Sequence, residues 1–140
     1  MYIKQRGDNM RAACLSDALK GPPAAWVELN RTHHAPYLHG KIQFYPWSRG
    51  ALIKSEFVNL PVRGCYQIQF QSDHSSDAPP IRHMPKFYAE NGYALLLFYI
   101  DRIPVEELIG REAALTALSR DSELNAVIGS GTVETKKSQI

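Results

Sequence analysis

Hydrophobic and polar positions alternate along much of this chain, in short runs separated by turn-forming residues. The runs end at glycine, proline, asparagine or histidine, and they are rich in β-branched and aromatic side chains: Ala25 to Leu29, Lys41 to Trp47, Ala51 to Leu60 and Cys65 to Phe70. Alternation with a period of two is typical of strands that bury one face. The pattern therefore predicts an all-β, antiparallel sandwich.

The second half of the chain continues this pattern after one interruption. Residues 71 to 86 contain Ser, Asp and Pro without periodicity, which predicts a long loop. Tyr93 to Ile100 is almost entirely apolar, which predicts a strand that is buried on both sides. The remaining predictions are a short helical turn over Val105 to Ile109, a strand over Glu112 to Leu118 and, after Asp121, either a last edge strand or a frayed tail.

The chain has a length that suits one compact domain. Its 140 residues can bury a sizeable core, and nothing in the composition suggests a second domain. Residues 1 to 23 carry a short amphipathic pattern that stops at Gly21-Pro22-Pro23. We therefore expect a lead-in segment over residues 1–23 and one domain over residues 24–140.

Charge and cysteine content exclude several kinds of partner. The 16 basic and 14 acidic residues give a net charge of +2, and the basic residues are dispersed, so neither a nucleic-acid surface nor an anionic-membrane surface is expected. No apolar run is long enough to span a bilayer, and the first residues lack the apolar core of a secretory signal, so the expected location is cytoplasmic. Cys14 and Cys65 have no metal-site spacing and are expected to be free thiols.

The segment GCYQIQFQ, from Gly64 to Gln71, carries the most information about function. Alternation places Tyr66 and Ile68 on one face of the predicted strand, with Gln67 and Gln69 on the other. Two neutral carboxamides therefore share the face that points away from the apolar residues.

Together with HGKIQFYPWSRGALIKSEFVNLP and NGYALLLFYIDRIPVEELIGR, this segment resembles blocks of the copper,zinc superoxide dismutase family, in particular its bacterial, Firmicutes-type members. The resemblance extends over roughly residues 22 to 131. It implies an eight-stranded Greek-key fold, a flattened β-barrel or immunoglobulin-like sandwich, with a shortened metal loop.

The resemblance also implies that the copper ligands are lost. The two strand histidines of the family fall on Gln67 and Gln69, and its last copper histidine, counted from Gly110, falls on Thr116. The arginine that guides superoxide in the family falls near Val133. A neutral amide oxygen is a weak, hard ligand that cannot hold copper in both oxidation states. The resemblance thus implies the dismutase fold without dismutase activity.

A residual metal site is the main alternative. The segment that matches the zinc loop keeps Asp73, His74, Asp77 and His83, whose side chains are of types that bind zinc. An enzyme hypothesis would rebuild a copper or zinc site from His74, His83 and one histidine of the loop before the second strand, chosen from His33, His34 and His39.

Three functional hypotheses follow. The first is a non-catalytic dismutase-like protein without a cofactor, which acts structurally or binds a protein partner that the sequence does not name. The second is a metal-binding protein or superoxide dismutase with the rebuilt site. The third is a subunit that forms a homodimer or pairs with an active paralogue. No phosphate-binding loop, G-x-S-x-G segment or HExxH helix points to another chemistry.

Overall fold

The computed structural model describes residues 17–71, 81, 84–118 and 125–135. A helical turn at residues 17–20 lies within the predicted lead-in segment and stops at the Gly21-Pro22-Pro23 sequence. Proline lacks the N–H that a continuing helix needs, which accounts for this end. The first strand begins at Ala25, close to the predicted start of the domain.

Short antiparallel strands make up most of the described chain, so the predicted all-β class is confirmed. The elements are β1 (Ala25–Glu28), β2 (Asn30–Arg31), β3 (His39–Trp47), β4 (Gly50–Val58), β5 (Gly64–Phe70), β6 (Lys86–Ala89), β7 (Tyr93–Ile100), a short helix (Val105–Leu108), β8 (Glu112–Leu118), β9 (Ala126–Thr132) and β10 (Glu134–Thr135).

Two five-stranded sheets hold these strands. Sheet I has the order β10-β1-β3-β4-β7, and sheet II has the order β2-β9-β8-β5-β6. β4 pairs with β7, and β5 pairs with β8, so each of these pairs skips the two strands between them in sequence. No strand pair among the described residues joins the two sheets, so the structure is a sandwich and not a closed barrel.

The chain changes sheet at two buried residues on one side of the sandwich. Leu29 separates β1 in sheet I from β2 in sheet II, and its N–H donates to the Gly40 carbonyl at 2.9 Å. Val133 separates β9 in sheet II from β10 in sheet I, and its N–H donates to the Arg111 carbonyl at 2.9 Å. On this side of the sandwich, the chain therefore passes from one sheet to the other between β1 and β2 and again between β9 and β10.

The core lies between the sheets and follows the predicted alternation. Fully buried side chains come from β3, β4, β5, β8 and β9, among them Phe44, Phe57, Tyr66, Ile68, Leu115 and Ile128. Each such side chain stabilises the fold by about 1.5–3 kcal/mol relative to exposure. The buried hydroxyl of Tyr66 donates to the Val62 carbonyl and accepts from the Val62 N–H at 3.2 Å. Burial raises the pKa of this phenol.

The prediction that Tyr93 to Ile100 is buried on both sides is wrong. The bounds agree with β7, but β7 is an edge strand of sheet I and one of its faces points to solvent. Leu95 is 55% exposed and Leu97 is 51% exposed. A continuous apolar run has no alternation from which an exposed face could be recognised, so this exposure could not be predicted from the hydrophobic pattern.

Two other boundaries differ from the sequence prediction. Lys86 begins β6 and does not belong to the predicted loop, of which residues 72–80 and 82–83 lie outside the described residues. The tail contains β9, which pairs with β2 on one side and β8 on the other and is therefore neither an edge strand nor frayed. The edge position in this part of the chain belongs to the two-residue strand β10.

Candidate functional site

The structure brings together the three positions that the resemblance assigns to copper ligands. Gln67 and Gln69 lie on β5, where Tyr66 and Ile68 point into the core, so both amides lie on the outer face of sheet II. Thr116 on β8 is directly opposite Gln67 in the strand pairing. We call Gln67, Gln69 and Thr116 the outer-face cluster.

The two amides of the outer-face cluster are bonded to each other and to the main chain. Gln67 Nε2 donates to the Met84 carbonyl oxygen at 2.8 Å. Gln69 Nε2 donates to Gln67 Oε1 at 3.2 Å. The Gln67 side chain is half-buried, and the Gln69 side chain is exposed. Gln67 thus ties β5 to the residue that precedes Pro85 and β6.

Thr116 is buried although it lies on the outer face. It is 4% exposed, as is its neighbour Ala114 on the same face. Its Oγ1 has no hydrogen-bond partner among the residues that the structure describes. Such a group costs about 1–3 kcal/mol relative to a paired one.

The chemistry available to the outer-face cluster is limited to hydrogen bonding. Carboxamides and a hydroxyl neither exchange protons near neutral pH nor bind copper strongly. The Gln67 amide also uses a donor and an acceptor within the fold. The geometry suits a polar contact that positions the chain, and it does not suit a redox centre.

The predicted residual zinc ligands lie outside the described residues. This holds for Asp73, His74, Asp77 and His83. Within the described ranges, no group of three or more histidine, cysteine, aspartate or glutamate side chains is placed to hold a metal ion. The ring centroids of His33 and His34 lie 4.0 Å apart, and both side chains are exposed. The third histidine of this region, His39, is the first residue of β3.

A charged corner that the sequence did not indicate joins the β3–β4 turn to the end of β7. Arg49 Nε donates to Asp101 Oδ1 at 2.8 Å, and a second guanidinium nitrogen donates to Oδ2 at 3.0 Å. Tyr99 also donates its hydroxyl to Asp101 at 3.2 Å. These bonds, chiefly the one from Arg49, lower the pKa of the Asp101 carboxyl. These hydrogen bonds fix the position of the Asp101 carboxylate, so the corner has a structural role in joining the β3–β4 turn to the end of β7.

Neither a model of any known protein family nor any curated protein matches the chain. In the part of the chain that the structure describes, no helix has the length and apolar character needed to cross a membrane.

Proposed function

We propose that this protein is a non-catalytic member of the copper,zinc superoxide dismutase family, with a structural or binding role. Support comes from the three sequence blocks that resemble the family and from the strand order. The β4–β7 and β5–β8 pairs each skip two strands, as the long return connections of a Greek key do. The family assignment is our proposal, and the two-sheet arrangement of antiparallel strands is the structural observation that supports it.

One observation carries the functional part of the proposal. Gln67 and Gln69, which belong to the same strand, lie together with the sequence-distant Thr116 on one outer face, where the resemblance places copper ligands. A copper site there would need several imidazole nitrogens around one point. These three residues offer neutral oxygens and amide hydrogens instead, so they supply no imidazole ligand for copper.

The structural role follows from the bonds of Gln67. In place of a metal, the amide fastens β5 to the Met84 carbonyl at 2.8 Å, at the end of the segment that matches the metal loop. The hydrogen bond is local and needs no cofactor. We therefore assign the outer-face cluster to positioning this part of the chain.

The test is metal content measured together with superoxide turnover. The protein is reconstituted with copper and zinc, desalted, and analysed by inductively coupled plasma mass spectrometry and by a superoxide assay. The Cys14→Ser/Cys65→Ser background removes copper bound by thiols, of which Cys65 is exposed. We expect substoichiometric metal and no turnover. Stoichiometric copper with turnover would overturn the proposal and favour the rebuilt histidine site.

A restored cluster provides a matched variant. Gln67→His/Gln69→His/Thr116→His places imidazoles at the three positions, and directly opposite residues have Cβ atoms about 4.5–5.5 Å apart. We expect weak copper binding and no comparable turnover, because three imidazoles do not restore the metal loop, which the resemblance implies is shortened. Activity near that of an ordinary dismutase from these three changes would contradict this part of the proposal.

A further inference from the structure

One sheet edge differs from the other three in length and composition. The described edges are β10 and β7 in sheet I, and β2 and β6 in sheet II. β2 and β10 have two residues each, and β6 has four and includes Lys86. β7 has eight residues, YALLLFYI, without a charge or a proline. Short strands and lysines protect edges from pairing with other chains, and β7 has neither.

The outward face of β7 is apolar as well. Leu95 and Leu97 are about half exposed, and Tyr93 is 45% exposed. The residues between them, Ala94 and Leu96, are less exposed and point towards the core. An occupant of this edge can therefore gain both main-chain hydrogen bonds and apolar contacts.

We propose that the β7 edge is a self-association surface, where β7 of a second copy pairs antiparallel around a two-fold axis at Leu96. An interface of this kind uses the same strand on both sides, so each strand must be complementary to itself. Around an axis at Leu96, Leu95 lies opposite the partner's Leu97, and Tyr93 lies opposite the partner's Tyr99. Apolar side chains then meet apolar side chains along the pair.

The neighbouring charges on β4 are complementary in this register. Within sheet I, Glu56 is the β4 residue beside Leu95, and Lys54 is the one beside Leu97. Glu56 accepts a hydrogen bond from the Tyr93 hydroxyl at 2.8 Å, which holds its carboxylate on this face. With the axis at Leu96, each of the two rows that pair Leu95 with Leu97 starts at an acid and ends at a base. An axis at Leu95 or Leu97 would instead flank the central pair with two acids or two bases.

The same argument favours a second copy over another occupant. A strand that pairs with β7 should have an uncharged centre and one apolar face. The strand next to it in its own sheet should carry a base in the row where β4 carries an acid, and an acid where β4 carries a base. β7, with Lys54 and Glu56 beside it, has all three properties. The inference is independent of whether the outer-face cluster is catalytic, because the two lie on different sheets.

The first experiment compares molar mass over a dilution series by analytical ultracentrifugation. The unchanged protein should form a dimer. Leu95→Lys/Leu97→Lys puts lysines opposite lysines in both rows and should raise the dimer dissociation constant at least about tenfold. Leu95→Glu/Leu97→Glu should do the same, and an equimolar mixture of the two variants should restore association as a heterodimer.

A control adds the same charge elsewhere. Tyr37 and Val62 are exposed apolar side chains outside the strands, and Tyr37→Lys/Val62→Lys should leave the dimer intact. A monomer at all concentrations, or a dimer that the edge lysines do not weaken, would overturn the proposal. So would a protein that stays monomeric and pairs only with an extended segment of another protein.

Disulfide trapping tests the register without relying on charged variants. In the Cys14→Ser/Cys65→Ser background, Leu95→Cys and Leu97→Cys proteins are mixed and oxidised. Directly opposite residues have Cα atoms about 4.5–5.5 Å apart, which suits a disulfide. The mixture should cross-link faster than either variant alone. Equal cross-linking of one variant with itself would overturn the two-fold placement that we propose.

Discussion

Gln67 joins two parts of the chain through a single side chain. Its amide donates to the Met84 carbonyl at 2.8 Å and accepts from Gln69 at 3.2 Å. A neutral imidazole has one donor and one acceptor nitrogen, and the acceptor is the atom that binds metals. The carboxamide uses its acceptor on another side chain, so its contribution is to local structure.

Gln67→Leu should destabilise the protein more than Gln69→Leu does. The first change leaves the Met84 carbonyl unpaired and should lower the free energy of unfolding by about 1–2 kcal/mol. Gln69 is exposed, and its replacement should change the free energy by about 0.5 kcal/mol or less. Urea unfolding of both variants measures the difference. An equal loss in the two would show that the Met84 bond contributes nothing to stability.

The sequence allowed part of this cluster to be predicted. Alternation around Tyr66 and Ile68 is enough to place Gln67 and Gln69 on one outer face, and the structure confirms this placement. Thr116 was matched only by counting along the resemblance, and the strand register puts it opposite Gln67. The bond to Met84 could not be predicted, because a main-chain acceptor is the same at every residue and leaves no pattern in a sequence.

At the scale of elements, the strands that alternate were predicted well and the others were not. β5 and β8 differ from their predicted bounds by at most one residue. The two-residue strands β2 and β10 were missed, since two residues carry no period. The predicted bounds of β7 are correct, but its predicted burial on both faces is wrong. A uniformly apolar strand can lie in the centre or at the edge of a sheet.

Gly50 shows how closely two elements approach at the end of sheet I. It begins β4 after the turn at Ser48 and Arg49, and the Tyr99 ring reaches past it to contact Trp47 edge-to-face, with ring centroids 5.2 Å apart. A Cβ on Gly50 would overlap the Ile100 carbonyl oxygen and lie 2.8 Å from the Tyr99 hydroxyl oxygen. The position therefore has no room for a side chain.

Gly50→Ala should lower the free energy of unfolding by about 1–3 kcal/mol, since main chain and ring must both shift. Gly64→Ala is the matched control. Gly64 also begins a strand, but a Cβ there would meet no atom within 4 Å, so this change should be neutral or stabilise by up to about 1 kcal/mol. Thermal unfolding of the two variants measures the difference. A Gly50→Ala protein as stable as Gly64→Ala would contradict the tight packing of β4 on β7.

For the whole molecule, the arrangement of strands depends on contacts that span much of the sequence. Val27 lies in β1 and Val133 directly precedes β10; both are buried, and the two strands pair with each other at the edge of sheet I. Local periodicity predicts which residues face the core, but it does not order the strands. The order β10-β1-β3-β4-β7 therefore could not be predicted from the pattern of hydrophobic and polar positions.

The stability of the folded chain should not depend on copper or zinc. A metal that binds only the folded protein, at a hundred times its dissociation constant, adds about 2.7 kcal/mol of stability, which corresponds to a rise in Tm of roughly 10 °C for a domain of this size. The core residues that hold the sheets together are apolar, and the two glutamines of the outer-face cluster are linked by hydrogen bonds. We therefore expect the same Tm, within about 1 °C, in chelator and in excess copper or zinc.

Comparing the Tm in chelator with the Tm in excess metal distinguishes the non-catalytic hypothesis from the hypothesis of a rebuilt metal site, because the Tm reports on the stability of the whole chain. The comparison is made in the Cys14→Ser/Cys65→Ser background, because an exposed thiol such as Cys65 can bind copper on its own. His74→Ala/His83→Ala serves as the control, since it removes two of the ligands that a rebuilt site would use. A rise of several degrees that this variant abolishes would identify a real metal site and contradict our proposal. A Tm that neither metal shifts would mean that hydrogen bonds and apolar burial stabilise this fold without a metal ion.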